Sequence, residues 1–224
     1  MTNKNQIYTK EDLKNTALSY HSKGDTSKAL TYYQEFLEKG FKDPSVFCNY
    51  ALICKNSGNI NKAKNLLQQS ITLFPKSIDS HINMANILIA GGDLKAAELS
   101  MRKVIDLDPR NHEAHFKLAN IVSHFGKEIE AELLLRKSIK LKPNFAYAQF
   151  NLANILIKSG KLEEGLQFLQ NAIRSKPNFP KAYANQGNIQ KELGYLNEAE
   201  ISTRKAIELD PCLVEAYCNL GIIL

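Results

Sequence analysis

The sequence predicts an all-α solenoid built from antiparallel helix pairs, and three observations carry that prediction. Pro75, Pro109, Pro143, Pro177 and Pro211 recur every 34 residues. Gly24, Gly58, Gly92, Gly126, Gly160 and Gly194 recur with the same 34-residue step. Between these marks the apolar residues follow a helical period twice per repeat, and no alternation reads as a strand. Repeats start at Lys10, Pro44, Ile78, His112, Ala146 and Pro180, and a partial seventh occupies 214–224. This gives about six and a third repeats, a single domain over 10–224 behind a short lead at 1–9.

The first helix opens after Thr9, which is placed to cap it with Asp12 three residues on. The third repeat shows the internal order of the rest. Met84, Ala85 and Leu88 mark its first helix and Gly92-Asp93 a turn. Leu94, Ala97, Met101, Val104 and Ile105 mark its second helix, which exits at Leu107-Asp108-Pro109. Gly suits the end of the first helix because a left-handed backbone is often needed there, and Pro stops the second helix from continuing. Small residues fill one column of the first helices (Ala17, Ala51, Ala85, Ala119, Ala153, Gly187) and one of the second (Ala29, Ala63, Ala97, Ala131, Gly165, Ala199). Such columns belong where two helices cross at close range. Three departures concern local packing: Gly165 in a crossing column, Glu128 where most repeats have Ile or Leu, and Gln186 with Gln190 on an apolar face.

This 34-residue hairpin, with its small-residue, Gly, Ala and Pro pattern, resembles the tetratricopeptide repeat over residues 10–224. The resemblance implies a right-handed superhelix whose first helices line the concave surface. Helices of about a dozen residues are marginal alone in water, so their stability has to come from stacking on neighbouring hairpins.

On that first-helix face lies the main functional candidate. Asn15, Asn49, Asn83, Asn151, Asn185 and Asn219 form one column, with Lys117 in the same place in the fourth repeat. Asn86, Asn120, Asn154 and Asn188 form a second column three residues later. The pattern is similar to the asparagine ladder in the repeat domain of the O-linked N-acetylglucosamine transferase, which implies a groove that holds an extended polypeptide by its backbone. An Asn side chain carries an acceptor and two donors, so it pairs with a peptide N–H and C=O whatever the peptide's side chains are. Each contact contributes about 1 kcal/mol net, and five give about 5 kcal/mol, a dissociation constant of only about 0.2 mM. Apolar contacts from Ile82, Phe116, Phe150 and Ile157 therefore have to supply the rest. The competing reading is a solvated face that touches no ligand. A carboxylate clamp does not fit the same surface: the basic places it requires carry Cys48, Ile82, Phe116 and Phe150, and Lys14 stands beside Leu18 instead of Asn.

Nothing in the sequence argues for catalysis, a metal or a cofactor. Cys48 and Cys54, and Cys212 and Cys218, have five residues between them, which is no common zinc or redox spacing. His81 and His115 sit one repeat apart with His112 nearby, but Asp79 and Glu113 are on another face of the helix. The net charge of +6 comes from basic residues dispersed among acidic ones, which argues against nucleic acid. No apolar stretch is long enough to span a bilayer, and the polar start has no signal-peptide character, so the expected location is cytoplasmic, without a membrane partner. The expected function is a protein- or peptide-binding scaffold. The alternatives are a substrate-recruiting module of a larger glycosyltransferase, sulfotransferase or oxygenase, and an assembly factor that uses its convex or terminal surfaces. Because the sequence stops inside a first helix, at "CNLGIIL", continuation into a longer polypeptide or self-association through that end is also an expectation.

Overall fold

Two joints per repeat, one at Gly and one at Pro, leave two segments short enough to be single helices, and helices form in both. The computed structural model describes residues 8–223, among which there are thirteen helices and no strand. The first helices of the hairpins are α1 (Lys10–Ser22), α3 (Pro44–Asn56), α5 (Ile78–Ala90), α7 (His112–His124), α9 (Ala146–Lys158), α11 (Pro180–Glu192) and α13 (Val214–Ile223). Their partners are α2 (Thr26–Glu38), α4 (Ile60–Leu73), α6 (Leu94–Leu107), α8 (Glu128–Leu141), α10 (Leu162–Ser175) and α12 (Leu196–Leu209). This is the all-α solenoid of antiparallel helix pairs that the sequence predicts. Two compact units divide the chain, Met1–Pro109 and Arg110–Leu224. Apart from Tyr8 and Thr9, the expected lead at 1–9 lies outside the described residues.

The joints work as their chemistry suggests. Gly160 has φ +78°, and the turn glycine of every other hairpin is also left-handed. That conformation returns Gly160 N–H to Ile157 O at 2.9 Å and Lys161 N–H to Leu156 O at 2.9 Å, which satisfies carbonyls at the end of α9. The crossing columns are the core: Ala17, Ala29, Ala63, Ala85, Ala97, Ala131, Ala153 and Ala199 have no exposed surface.

The first unit caps every helix with a side chain. Thr9 and Asp12 form a reciprocal capping box on α1, and Asp25, Asp43, Asn59, Ser77 and Asp93 accept from backbone N–H groups at the starts of α2 to α6. Asp43 also receives Lys14 Nζ at 2.7 Å, so one carboxylate caps α3 and ties it to α1. Burial pushes the Asp43 carboxyl up, but the bonds from Lys14 and Ser45 outweigh it and hold the group below its ordinary value. A carboxyl depressed in the folded state binds fewer protons there than in the unfolded chain. Its stabilisation is therefore complete above the ordinary Asp value of about 3.9 and disappears as pH falls through the lower folded value. Acid unfolding of Asp43→Asn, followed by circular dichroism, is expected to start from lower stability at neutral pH and to show a shallower loss below about pH 4 than the parent chain.

The second unit relies on different chemistry. α7 has a side-chain cap, from Asn111, whereas α8, α9, α10, α11 and α12 have none. In place of caps, α8, α10 and α12 begin with Glu128 and Glu130, Glu163 and Glu164, and Glu198, whose charges offset the positive helix start. Glu128 is thus no packing fault, since it opens α8 and accepts Ser123 Oγ at 3.0 Å. Across the second helices, Arg136 Nη2 meets Glu132 at 2.8 Å and Glu164 at 2.7 Å, which links α8 to α10. In the sixth hairpin Gln190 is buried but satisfied, because its Oε1 accepts Ser202 Oγ at 2.7 Å.

Candidate functional site

Asn is a poor helix former because its amide competes for backbone hydrogen bonds, and the two units place these amides differently. In the second unit the two Asn columns pair across consecutive hairpins. Asn151 Nδ2 donates to Asn120 Oδ1 at 2.7 Å, and Asn185 Nδ2 donates to Asn154 Oδ1 at 2.8 Å. Each bridge joins the first helices of neighbouring hairpins, α7 to α9 and α9 to α11. Asn120 is exposed, and the other three are half-buried. Each bridge uses one donor and one acceptor, so each amide keeps hydrogen-bonding capacity beyond the bridge.

Beyond these two bridges the regularity ends. Asn188 Nδ2 turns along its own helix to Glu192 at 3.0 Å, and Asn219 Nδ2 reaches the Ala184 carbonyl at 3.3 Å. Lys117 pairs with Glu113 one turn earlier at 3.0 Å. In the first unit the second-column places of the first two hairpins are Leu18 and Leu52, so Asn49 and Asn83 have no amide opposite. Asn49 instead lies near the Tyr33 hydroxyl, whose pKa burial raises and which meets His21 Nδ1 at 3.1 Å. Asn83 lies against the Cys48 thiol, which burial also pushes up and which Ser80 contacts at 3.3 Å. Asn86 is half-buried on α5, and Ile82 is half-buried beside it.

The aromatic residues expected to flank the Asn face are partly occupied. The Phe116 ring packs on Phe145 with centroids 4.9 Å apart, and Phe150 packs on Phe179 at 4.8 Å. Phe145 and Phe179 stand at the N-caps of α9 and α11, the places held by Asp43, Ser77 and Asn111 in earlier hairpins. Tyr147 continues the seam, 6.4 Å from Phe145 and 5.4 Å from Phe179. Lys176 covers it: Nζ lies 4.5 Å from the Tyr147 ring centre and 5.1 Å from that of Phe179, and donates to the Tyr147 hydroxyl at 2.5 Å. Sequence reading missed Phe145, Tyr147, Lys176 and Phe179. The signal was available, since Phe145, Phe179 and Leu213 follow one another at 34-residue steps where a polar cap is the norm.

The remaining polar candidates are structural. His81 Nε2 contacts the Pro75 carbonyl at 3.1 Å, and Gln149, two repeats on, donates from Nε2 to the Pro143 carbonyl at 2.6 Å. Lys14 is engaged by Asp43 and so is not a free clamp residue. All four cysteines are free thiols, with Cys48 and Cys54 buried and Cys212 and Cys218 exposed. Among the described residues no group of three or more His, Cys, Asp or Glu is placed to hold a metal ion, and no helix is long and apolar enough to cross a membrane.

Comparison with known folds agrees with the hairpin geometry. PilF of Pseudomonas aeruginosa superposes with a TM-score of 0.82 at 14% identity, over 95% of this chain and 97% of that one. YrrB, described as a tetratricopeptide protein with an unusual peptide-binding site, gives 0.70 at 18% identity over 83% of this chain and 96% of its own. MamA from Desulfovibrio magneticus RS-1 gives 0.68 at 19% identity over 76% and 96%. At these identities the likeness is one of fold. No curated protein matches the sequence. One tetratricopeptide repeat family matches residues 56–121 and 126–189, a second such family matches 180–211, and a third 15–39. With helix pairs in a 34-residue register and more than half of the sequence matched in this way, the chain belongs to the tetratricopeptide repeat family.

Proposed function

We propose that the chain is a non-catalytic scaffold that holds an extended peptide segment of another protein along its Asn-bearing first-helix face. Tetratricopeptide folds generally mediate protein–protein or peptide binding, and the YrrB likeness is consistent with that use. The observation that carries the finer reading is the pair of bridges Asn120–Asn151 and Asn154–Asn185. Amides already held by one another lose little side-chain freedom when a ligand arrives, so more of each new hydrogen bond appears as affinity. Their unused donors and lone pairs match a peptide backbone and are indifferent to its side chains. Within the second unit Lys117 and Asn188, with Phe116 and Phe150, form the margins of the proposed surface; Asn49, Asn83, Asn86 and Ile82 hold the corresponding places in the first unit.

The test is binding to an array of unstructured peptides by the parent chain and by a variant with Asn120, Asn151, Asn154 and Asn185 changed to Ala. Helicity is matched first by circular dichroism. At about 1 kcal/mol per amide, the variant is expected to bind up to about a thousandfold more weakly, while Asn49→Ala with Asn83→Ala has little effect. Equal binding by the parent and the fourfold variant sinks the proposal and leaves this face as a solvated surface.

A further inference from the structure

The second-helix face carries a separate candidate. In the first unit α3 packs on α5, but the second helices α2, α4 and α6 make no comparable contact with one another, and clefts open between them. The cleft between α4 and α6 has a volume of about 500 Å³. Its apolar lining comes from Ile71, Met84, Leu88 and Leu99, the last 72% exposed, beside the polar Asn65, Gln68, His81 and Ser100. Lys64 on α4 and Lys103 on α6 also line it, and no carboxylate does. Neither lysine has an ion-pair partner among the described residues.

The repeat supplies its own controls. The place of Leu99 is filled by Asn65 one hairpin earlier and by Gln167 two hairpins later, so packing does not require an apolar residue there. The place of Lys64 is filled by Glu98 and Glu132 in the next two hairpins, so this helix position does not require a cation. α4 as a whole carries Lys62 and Lys64 and no acidic residue. Equivalent clefts differ in charge. The one between α2 and α4, which shares Asn65 and Gln68 with this one, is lined by a single lysine, Lys42, and the Arg174 guanidinium at the cleft between α8 and α10 is bonded to Asn171.

From this combination of an apolar slot, an exposed leucine and two unpaired ammonium groups, we infer that the α4–α6 cleft docks an acidic amphipathic helix of a partner protein. The partner's apolar face enters between Leu99 and Met84, and its carboxylates meet Lys64 and Lys103. Charge complementarity speeds encounter and sets orientation, while the buried apolar anchor supplies most of the affinity. The surface is independent of the Asn face.

The test uses the full chain and a short fluorescein-labelled peptide with Leu along one helical face and Glu elsewhere, read by fluorescence anisotropy. A second peptide has every Glu replaced by Lys. The acidic peptide is expected to bind, with affinity falling as salt rises, and the basic one to bind at least about tenfold more weakly. Leu99→Asn, which installs the residue the repeat already accepts at position 65, is expected to weaken the acidic peptide about tenfold or more. Lys64→Glu with Lys103→Glu is expected to remove binding, and Lys137→Glu with Lys140→Glu, the same charge change at exposed places on α8, to leave it unchanged. Equal binding of both peptides, no binding at millimolar concentration, or indifference to Leu99→Asn overturns the inference. So does a Leu99-dependent self-association seen by light scattering, which would make a second copy the occupant.

Discussion

Phe179→Ala is expected to destabilise the second unit by about 3–5 kcal/mol, since it empties a site enclosed by large side chains. Phe179 is 7% exposed and lies against Phe150, Tyr147 and the Lys176 ammonium. A loss of this size is a large share of the roughly 5–15 kcal/mol that holds a typical domain together. Phe179→Asn distinguishes packing from capping. It removes the same ring but restores the side-chain acceptor that α11 lacks, and so is expected to recover about 1 kcal/mol of the loss. Urea unfolding of the three proteins by circular dichroism checks the order. If Phe179→Asn matches the parent, the aromatic seam contributes little and the helix start controls stability.

Gly187→Ala is expected to lower stability although Ala is the better helix former by about 1 kcal/mol. A Cβ at Gly187 would lie 2.3 Å from Thr203 Oγ1 and 3.0 Å from the Ala199 carbonyl oxygen. The Ala199 contact is with backbone, which cannot rotate away, so helices α11 and α12 must move apart. Overpacking of this kind costs about 1–3 kcal/mol. Gly165→Ala provides the contrast: its nearest contacts are Ile157 Cγ1 at 2.8 Å and the Ala153 carbonyl oxygen at 3.3 Å, both less close than those at Gly187, and its effect is expected to be smaller. In a Thr203→Ala background the Gly187→Ala loss should shrink, because one of the two close contacts is gone. Thermal unfolding of the single and double variants measures that coupling, and equal losses in both backgrounds would show that Thr203 is not what confines Gly187.

Much of this was legible in advance, for a definite reason. The 34-residue recurrence of Gly and Pro acts through local backbone chemistry, and the small-residue columns act through contacts inside one hairpin. Both depend on residues close in sequence, so their positions carry over directly to three dimensions. The departures were visible too, but their resolution was not. Gln190 looked like an interruption of an apolar face and is matched by Ser202, a polar residue on the facing helix whose significance appears only when the two are brought together. Glu128 looked misplaced in an apolar column and instead sits at a helix start, where a negative charge is favourable.

The Asn face marks the boundary between the two kinds of information. Sequence alone determined the helical repeat, its register, its joints, its crossing columns and the fact that asparagines recur on the first-helix face. Only the tertiary structure decided which of those amides pair. Asn151 meets Asn120 and Asn185 meets Asn154, whereas Asn49 and Asn83 face the Leu18 and Leu52 places and lie near Tyr33 and Cys48. It also decided that Phe116 and Phe150 lie under the next hairpin's Phe145 and Phe179. The physical reason is that a repeat period specifies which positions are equivalent but not how far apart, or at what angle, neighbouring hairpins pack. A hydrogen bond made or lost within about 3.5 Å depends on that spacing.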